Sequence, residues 1–247
     1  MQAGGGDMRL DKYLCDMGMG TRSQVKELIR KGLVTIDGIP ALRPEQKVEA
    51  EHAVCVNGKA VSYVNLEYYM LYKPAGYVSA TEDRHCPTVL DLITGRQRKD
   101  LFPVGRLDKD TEGLLLITND GELAHRLLSP KRHVDKTYYA RIQGAVTQAH
   151  ILAFAEGLDI GEEKLTLPAK LQILKSGSES EILVTIREGK FHQVKRMFAA
   201  VGCEVLYLKR LSMGSLTLEE SLGPGGFRPL TEAEIQALRE ETGCLPM

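Results

Sequence analysis

The sequence feature that most constrains the fold is the stretch VGRLDKDTEGLLLITNDG, residues 104–121. Its pattern predicts a strand that ends at Asp108, a polar turn, a second strand over residues 114–117, and a sharp stop at the Asn-Asp-Gly end. Residues two apart in an extended chain share a face, so we expect Arg106 and Asp108 to project to the same side. A carboxylate placed in this way beside a cation is a candidate reactive group. The alternative is an ordinary turn, because aspartate and threonine also favour turns.

The composition sets broad bounds on the class of protein. A chain of 247 residues has room for one large domain or two modest ones, and its 43% hydrophobic content indicates a packed core. The net charge of -1 gives no overall nucleic-acid signature, so an RNA-binding surface would need local clustering of basic residues. No apolar run is long enough for a transmembrane helix, so we expect no membrane partner.

The start of the sequence and the spacing of its cysteines both bear on the location of the protein. The opening MQAGGGDMRL lacks the apolar centre of an export signal, and we expect a flexible tail before Met8. The five cysteines include no C-x-x-C pair and no histidine at zinc-site spacing. This pattern predicts reduced thiols in a cytoplasmic protein, without a metal site.

Residues 8–60 read as a separate small module. Two helices are predicted; Thr21 with Gln24 forms a capping box at the start of the second. Two strands then run into Asp-Gly and Asn-Gly, which are hairpin turn signals. Basic residues four apart on the second helix share one face, and such a face is either solvated or an RNA contact: Arg22, Lys26 and Arg30.

Residues 61–66 are the predicted linker, and residues 67–247 the second domain. Strand patterns there occur mostly in hairpin-like pairs rather than in strict alternation with helices, which predicts the α+β class. A short helix is expected over residues 89–93, and longer helices after Asp120 and Thr147. Arg96 to Lys99 form a basic loop that is either an RNA contact or solvated.

Three segments of the second domain carry a family resemblance. GRLDKDTEGLLLITNDG resembles the signature of pseudouridine synthases, which convert uridine in RNA to its C-glycoside isomer, and within them the RsuA-type ribosomal RNA enzymes. The Lys-x-Tyr step at 136–138 resembles the second family signature, and EGKFHQVKRMFAAVG resembles the third. The resemblance implies that Asp108 is the essential catalytic residue, that Tyr138 is the active-site tyrosine, and that Lys195 pairs with Asp108. Many relatives carry arginine instead of Lys195, so the pair would be less rigidly bidentate here.

The first domain carries a second resemblance. RLDKYLCDMGMGTRSQVKELIRKGLVTIDG resembles the S-four, or αL, RNA-binding domain. This implies that RNA contacts come from Arg22, Lys26, Arg30 and Lys31. The resemblance of the second domain to pseudouridine synthases implies that Arg106 fills the space left by the flipped base or contacts the phosphate backbone. We also assign Lys73 and Arg196 to the RNA-binding residues. The family resemblance of the Lys73-Pro74 step implies in addition that Lys73 supports the active site.

The resemblance implies a small αL domain followed by a catalytic domain with a mixed, mostly antiparallel sheet. It also implies an isomerisation without cofactor or metal. We expect a monomer acting on small-subunit ribosomal RNA or a ribosomal-subunit assembly intermediate. Large-subunit RNA, a non-catalytic RNA-binding protein and a nucleosidase are the alternatives. An apolar wall of Leu115, Ile117 and Val194 is expected to exclude water, and His192 is interpreted as structural or RNA-contacting.

Overall fold

The computed structural model describes residues 8–244, so the predicted N-terminal tail lies outside the described residues. Contacts divide the chain into two units. The first runs to Glu67 and includes Thr94–Leu101; the second comprises Tyr68–Ile93 and the chain from Phe102 onwards. The boundaries predicted from the sequence place residues 94–101 in the second domain, whereas the contacts group them with the first unit.

The first unit is built on two short helices. The capping box predicted at Thr21 is present, with the Thr21 amide donating to Gln24 Oε1 at 2.8 Å and the Gln24 amide donating back to the threonine hydroxyl at 3.4 Å. Apolar residues from both helices and the strands form a closed core in which Leu10, Leu14, Val25 and Val34 are fully buried. The elements are α1 (Leu10–Asp16), α2 (Arg22–Arg30), β1 (Met8–Arg9), β2 (Val34–Ile36), β3 (Ile39–Pro40), β4 (Lys47–Val48), β5 (Val54–Val56) and β6 (Lys59–Ala60).

Both hairpins predicted in the first unit are confirmed. The turn residues Asp37-Gly38 and Asn57-Gly58 all have positive φ, the conformation that two-residue hairpin turns of this composition adopt. The resulting sheet has the order β3-β2-β5-β6, and β1 pairs separately with β4.

The segment predicted as a linker is packed on the first unit. Val61, Tyr63 and Val64 lie against its core, and the Tyr13 hydroxyl donates to the Val61 carbonyl at 2.5 Å. Arg98, within the predicted basic loop, is only 5% exposed; it pairs with Asp100 at 2.6 Å and donates to the Tyr63 hydroxyl at 2.9 Å. Arg98 is therefore held by protein groups and is not a solvated cation.

The second unit is organised around one nine-stranded sheet. Its path is β11-β12-β10-β13-β9-β7-β15, with β14 on β13 and β8 on β9. The elements are β7 (Tyr68–Lys73), β8 (Phe102–Pro103), β9 (Glu112–Thr118), β10 (Lys136–Gln143), β11 (Lys170–Lys175), β12 (Glu179–Ile186), β13 (Glu204–Met213), β14 (Leu216–Thr217), β15 (Phe227–Pro229), α3 (Gly121–Leu128), α4 (Gln148–Glu156), α5 (Gln193–Ala200) and α6 (Glu232–Thr242).

Strand β9 lies between β13 and β7 in this sheet. Its residues 114–117 are all fully buried, and a continuous apolar run is typical of a strand covered on both faces. It pairs antiparallel with β7 and β8 but parallel with β13. The other strand pairs of the sheet are antiparallel, which confirms the predicted α+β class with a mixed, mostly antiparallel sheet.

Helices α3 and α6 of the second unit begin at the N-cap residues predicted from the sequence. The Asp120 carboxylate accepts from the Leu123 amide at 3.0 Å at the start of α3, and Thr231 with Glu234 forms the predicted capping box of α6. The predicted helix over residues 89–93 is a single 3₁₀ turn, Val89–Leu92. Among residues 8–244, no helix has the length and apolar character that crossing a bilayer would require.

The predicted strand ending at Asp108 is wrong. Strand β8 covers only Phe102–Pro103, and the residues up to the start of β9 form a loop. The physical reason is local: Gly105 has φ +82°, and the Leu107 backbone bonds to a side chain instead of a neighbouring strand. Asp108 therefore lies in a loop that other parts of the second unit hold in place.

Candidate active site

The loop that carries Asp108 is fixed from the side by Ser79. Its hydroxyl donates to the Leu107 carbonyl at 2.9 Å and accepts from the Leu107 amide at 3.1 Å. The Thr111 amide then donates to the Asp108 carbonyl at 3.1 Å, which closes the turn. The turn expected from the sequence is thus present. It positions the Asp108 carboxylate, so the turn and a functional role for Asp108 are compatible.

Lys73, the last residue of β7, holds the same loop from below. It is fully buried, and its Nζ donates to the carbonyls of Thr111 at 2.7 Å, Pro74 at 3.0 Å and Lys109 at 3.2 Å. Burial lowers the pKa of Lys73 to about 8. The assignment of Lys73 to RNA binding is wrong, because a fully buried ammonium with three carbonyl acceptors has no surface to offer a phosphate.

Gly113 allows β9 and β13 to approach each other closely. It has φ +101°, and a Cβ there would lie 2.2 Å from the Arg210 carbonyl oxygen of β13. This is the point where β9 and β13 pair in parallel, with Arg210 opposite Gly113. Glycine therefore lets the two halves of the sheet approach each other directly behind the Asp108 loop.

A cavity in the second unit brings the predicted residues together. Its lining includes Arg106, Asp108, Tyr138 and Lys195. Tyr138 comes from β10, opposite Val184 of β12 and Arg210 of β13, and is 7% exposed. Arg106 and Asp108 thus face one space, as expected, although an irregular loop and not a strand places them there.

Lys195 bridges two carboxylates at this cavity. Its Nζ lies 3.1 Å from Asp108 Oδ2 and 2.6 Å from Asp110 Oδ1. It lies on α5, in the turn after the Glu188–His192 loop. The ion pair implied for Lys195 and Asp108 is present in the structure, and Asp110 is a second and shorter contact that the sequence did not indicate.

The two bridged charges influence each other's protonation. Burial acts to lower the pKa of Lys195, but the hydrogen bonds to Asp110 and Asp108 outweigh it and leave the pKa raised. Partial burial acts to raise the pKa of Asp110, and the hydrogen bond from Lys195 outweighs it and leaves that pKa lowered. Lys195 is therefore an ammonium at neutral pH, next to an ionised Asp110.

His192, interpreted from the sequence as structural or RNA-contacting, lies at the cavity. Its Nε2 is 3.5 Å from Asp108 Oδ1, and it lines the cavity. It precedes α5 with φ 48° and ψ 35°, a left-handed conformation that is uncommon outside glycine. The signal was available, because His192 and Lys195 are three residues apart and share a side of the helix start.

The apolar part of the lining differs from the predicted wall. Val194 lines the cavity as expected, together with Leu107, Ile186 and Leu208. Leu115 and Ile117 are fully buried in β9 and do not line it. Both were misplaced because the loop, and not the strand, forms this side of the cavity.

Arg196 is directed away from the site. Its guanidinium bonds to the carbonyls of Ile160 and Phe191 and pairs with Glu162 at 2.6 Å. These protein acceptors occupy the donors that the RNA-binding assignment required. Arg196 therefore ties α5 to the residues before β11.

The basic residues of α2, unlike Arg196, have exposed side chains. Arg22, Lys26 and Arg30 are exposed, and Lys31 pairs with Glu27 at 2.8 Å. A shared exposed face of α2 is thus present in the first unit. Of the four residues assigned there to RNA, Lys31 is the one with an ion-pair partner one turn away.

Comparison with known proteins gives the family of this chain. The model of the RNA pseudouridylate synthase family matches residues 67–200. The chain belongs to the RNA pseudouridylate synthase family. It is thus an RNA pseudouridine synthase, and the S4 domain model matches residues 8–54. Together the family and the S4 domain make RNA its partner.

Similar proteins cover nearly the whole chain. A Bacillus subtilis protein named uncharacterized RNA pseudouridine synthase YtzG is 48% identical, over 94% of this chain and 99% of the relative. Ribosomal small subunit pseudouridine synthase A of Vibrio cholerae is 42% identical over 94% and 99% of the two chains. The Escherichia coli protein of the same name is 40% identical over 94% and 100%.

A solved structure described as a pseudouridylate synthase matches the fold. It is 39% identical, covers 94% of this chain and 99% of its own, and superposes with a TM-score of 0.66. This confirms the predicted pseudouridine synthase fold. The cavity with Asp108, Tyr138 and Lys195 lies in the unit that the family model matches.

Proposed function

We propose that this pseudouridine synthase modifies a uridine of small-subunit ribosomal RNA, with Asp108 as the essential catalytic carboxylate. The observation that supports the role of Asp108 is its position in a cavity, 3.1 Å from Lys195. The assignment to small-subunit RNA is supported by the Vibrio and Escherichia relatives, whose names specify the small subunit. The Bacillus relative supports the chemistry without an address.

The reaction exchanges one glycosidic bond for another within the same nucleotide. The bond between ribose C1′ and uracil N1 breaks, the base turns in the cavity, and C1′ bonds to C5. The proton on C5 leaves, and N1 gains one, so atoms and charge balance. Asp108 acts either by attacking C1′ or by removing the C2′ proton to give a glycal, and both routes require an ionised carboxylate.

Tyr138 and Lys195 act beside that carboxylate. Lys195 positions Asp108 through the 3.1 Å contact and places a positive charge beside its carboxylate. Tyr138 stacks on the flipped base and assists removal of the C5 proton. The apolar lining that includes Val194 and Leu107 limits access of water to the intermediate.

Arg106 serves the RNA side of the reaction. It is exposed at the mouth of the cavity, and within residues 8–244 no hydrogen bond or ion pair involves its guanidinium. A uridine in folded RNA has to leave its stack before it reaches Asp108, at a cost of a few kcal/mol. We propose that Arg106 fills the vacated space or holds a neighbouring phosphate.

The α2 face binds RNA without recognising the nucleotide sequence. Arg22, Lys26 and Arg30 are exposed there, and phosphate contacts of this type position an RNA on the protein. We propose that the enzyme acts as a monomer in the cytoplasm on ribosomal RNA or a ribosomal-subunit assembly intermediate. Its cysteines, all free within the described chain, are compatible with that compartment.

The test is a map of pseudouridine across both ribosomal RNAs in a strain that lacks the gene and in the same strain complemented with it. We expect one small-subunit site to disappear and return. A site that disappears from large-subunit RNA contradicts the small-subunit assignment but supports the isomerisation reaction. Release of free uracil by the purified enzyme contradicts the isomerase assignment and indicates glycoside hydrolysis.

A further inference from the structure

The loop from Glu188 to His192 carries an exposed aromatic ring beside the cavity. Phe191 is 66% exposed, while every other phenylalanine and tyrosine among residues 8–244 is buried or partly buried. Single exposed apolar residues are common on protein surfaces, so exposure alone assigns nothing. The surroundings of this ring are what distinguish it.

Phe191 is stacked on a residue of the site. Its ring lies 3.7 Å from the His192 ring, centroid to centroid, with 21° between the planes. His192 in turn places Nε2 3.5 Å from Asp108 Oδ1. The exposed phenyl ring is therefore one stacked ring away from a side chain that contacts Asp108.

The loop that carries Phe191 is fixed at several points. The Glu188 carboxylate accepts from the Leu167 amide and from Gln193 Nε2, both at 2.9 Å. Lys190 Nζ donates to the carbonyls of Lys164 at 3.0 Å and Leu165 at 3.2 Å.

The backbone of Phe191 itself is held as well, since Arg196 Nη1 donates to its carbonyl at 3.0 Å. The backbone that carries the ring is thus held by protein contacts, which lowers the conformational entropy cost of binding to it.

We propose that Phe191 is a stacking platform for the base of the nucleotide next to the target uridine, a role that rests on the proposed function. Flipping one nucleotide leaves its neighbours without a stacking partner. Proteins that bind single-stranded RNA supply such partners from exposed aromatic rings.

Three cations lie near Phe191 in the chain, and each of them is paired with a carboxylate of the protein. Lys190 precedes it, Arg196 bonds to its carbonyl, and Lys195 lies on the following helix. A base on Phe191 would extend the existing stack of Phe191 on His192. Because every base has an aromatic face, this platform secures the strand and does not select a sequence.

The test uses the full chain and a stem-loop RNA that contains the uridine mapped for the wild-type enzyme. Single-turnover pseudouridine formation gives the apparent Kd and the rate at saturation. We expect Phe191→Ala to weaken the apparent Kd about tenfold, since base stacking on aromatic rings is commonly of that size. Phe191→Tyr keeps a stacking ring and is expected to stay within about twofold of wild type.

Two controls separate stacking from general damage. Leu152→Ala removes a side chain of similar exposure (57%) from α4, outside the cavity, and is expected to change nothing. An abasic nucleotide next to the uridine removes the stacking partner in the RNA. Its penalty should be absent in Phe191→Ala if ring and base act together.

The results can overturn the platform independently of the proposed function. An unchanged Kd for Phe191→Ala, or penalties of the abasic site and the variant that multiply, would disprove it. If the wild-type enzyme modifies a large-subunit uridine instead, the same comparison uses that stem-loop.

If the wild-type enzyme modifies neither RNA, the proposed function fails, and quenching of a single-stranded RNA containing 2-aminopurine tests the platform without turnover. Quenching that is equal in wild type and Phe191→Ala then disproves the platform.

Discussion

The cavity of the second unit and the α2 face of the first both concentrate positive charge, but they use it differently. In the second unit, Lys73 beneath the Asp108 loop bonds to three carbonyls, and Lys195 at the cavity bonds to two carboxylates. On α2, Arg22, Lys26 and Arg30 are exposed to solvent. Buried or partly buried charges are screened little by salt, whereas exposed ones are screened strongly. The charges at the cavity are therefore suited to holding groups in a fixed geometry. Those of the α2 face are suited to a salt-dependent attraction of RNA.

The largest effect is expected from Asp108→Asn. Loss of the only carboxylate proposed to react should lower pseudouridine formation by at least about 10³-fold, while RNA affinity stays near wild type. Chemical mapping of pseudouridine and a binding titration measure the two. Asp110→Asn is the matched control, because it removes the other carboxylate on Lys195. Equal losses in both variants would contradict a special role for Asp108.

Lys195→Met should have the next largest effect. It removes the cation 3.1 Å from Asp108, and we expect the single-turnover rate to fall about 10²-fold with a smaller change in RNA affinity. Lys195→Arg restores a cation and should recover part of the rate, which a purely structural role would not predict. Because the pKa of Lys195 is raised above 10.5, its contribution should persist across the whole range from pH 7 to 10. A wild-type rate in Lys195→Met would remove the lysine from the mechanism.

Lys73→Met tests how the buried Lys73 ammonium affects the pH dependence of the free energy of unfolding. The folded-state pKa of about 8 lies below the ordinary value of 10.5, so between these values the unfolded chain binds the proton more tightly. The contribution of Lys73 to the free energy of unfolding should therefore increase as pH rises from 8 to 10.5, by about 3 kcal/mol. Urea denaturation at several pH values should show a flatter profile for Lys73→Met.

Lys136 provides the matched control for Lys73. Burial, followed by the nearby Arg210 charge, also lowers the pKa of Lys136 to about 8, but Lys136 donates to the Val134 carbonyl and not to the Asp108 loop. Lys136→Met should flatten the stability profile to a similar extent. Only Lys73→Met should in addition slow pseudouridine formation. A profile in Lys73→Met as steep as that of the wild type would contradict the buried, proton-losing lysine.

The smallest effect is expected on the α2 face. Charge reversal at Arg22 and Lys26 together should weaken RNA binding about tenfold at low salt and reduce the slope of log K against log salt by about 1.5. The rate at saturating RNA should remain near wild type, the opposite of the Asp108 result. Lys59→Glu, an exposed charge on β6, is the control. An unchanged salt slope would exclude the α2 face from RNA binding.

Local features of the fold were predictable because local hydrogen bonds decide them. The capping boxes at Thr21 and Thr231 and the turns at Asp37-Gly38 and Asn57-Gly58 form between residues at most three apart. The signature around Asp108 likewise predicted a turn and a following buried strand. What failed nearby was the strand before Asp108, because Ser79, 28 residues away, takes the backbone bonds of Leu107.

The site was predictable only as far as its signatures reach. They led to Asp108, Tyr138 and Lys195, which the structure brings to one cavity. The same reasoning misassigned Lys73 and missed the contacts of His192 and Asp110. Whether a lysine is buried or exposed depends on which carbonyls fold over it, and no pattern within a strand records that.

The sequence by itself determined the elements, the family resemblance and the identity of the candidate catalytic groups. Tertiary structure decided which charges remain available. Lys73 reaches Thr111 across 38 residues of chain, and Lys195 reaches Asp110 across 85. The physical reason is that burial and hydrogen-bond partners are set by residues distant in the chain, whereas caps, turns and periodicity are set by neighbours.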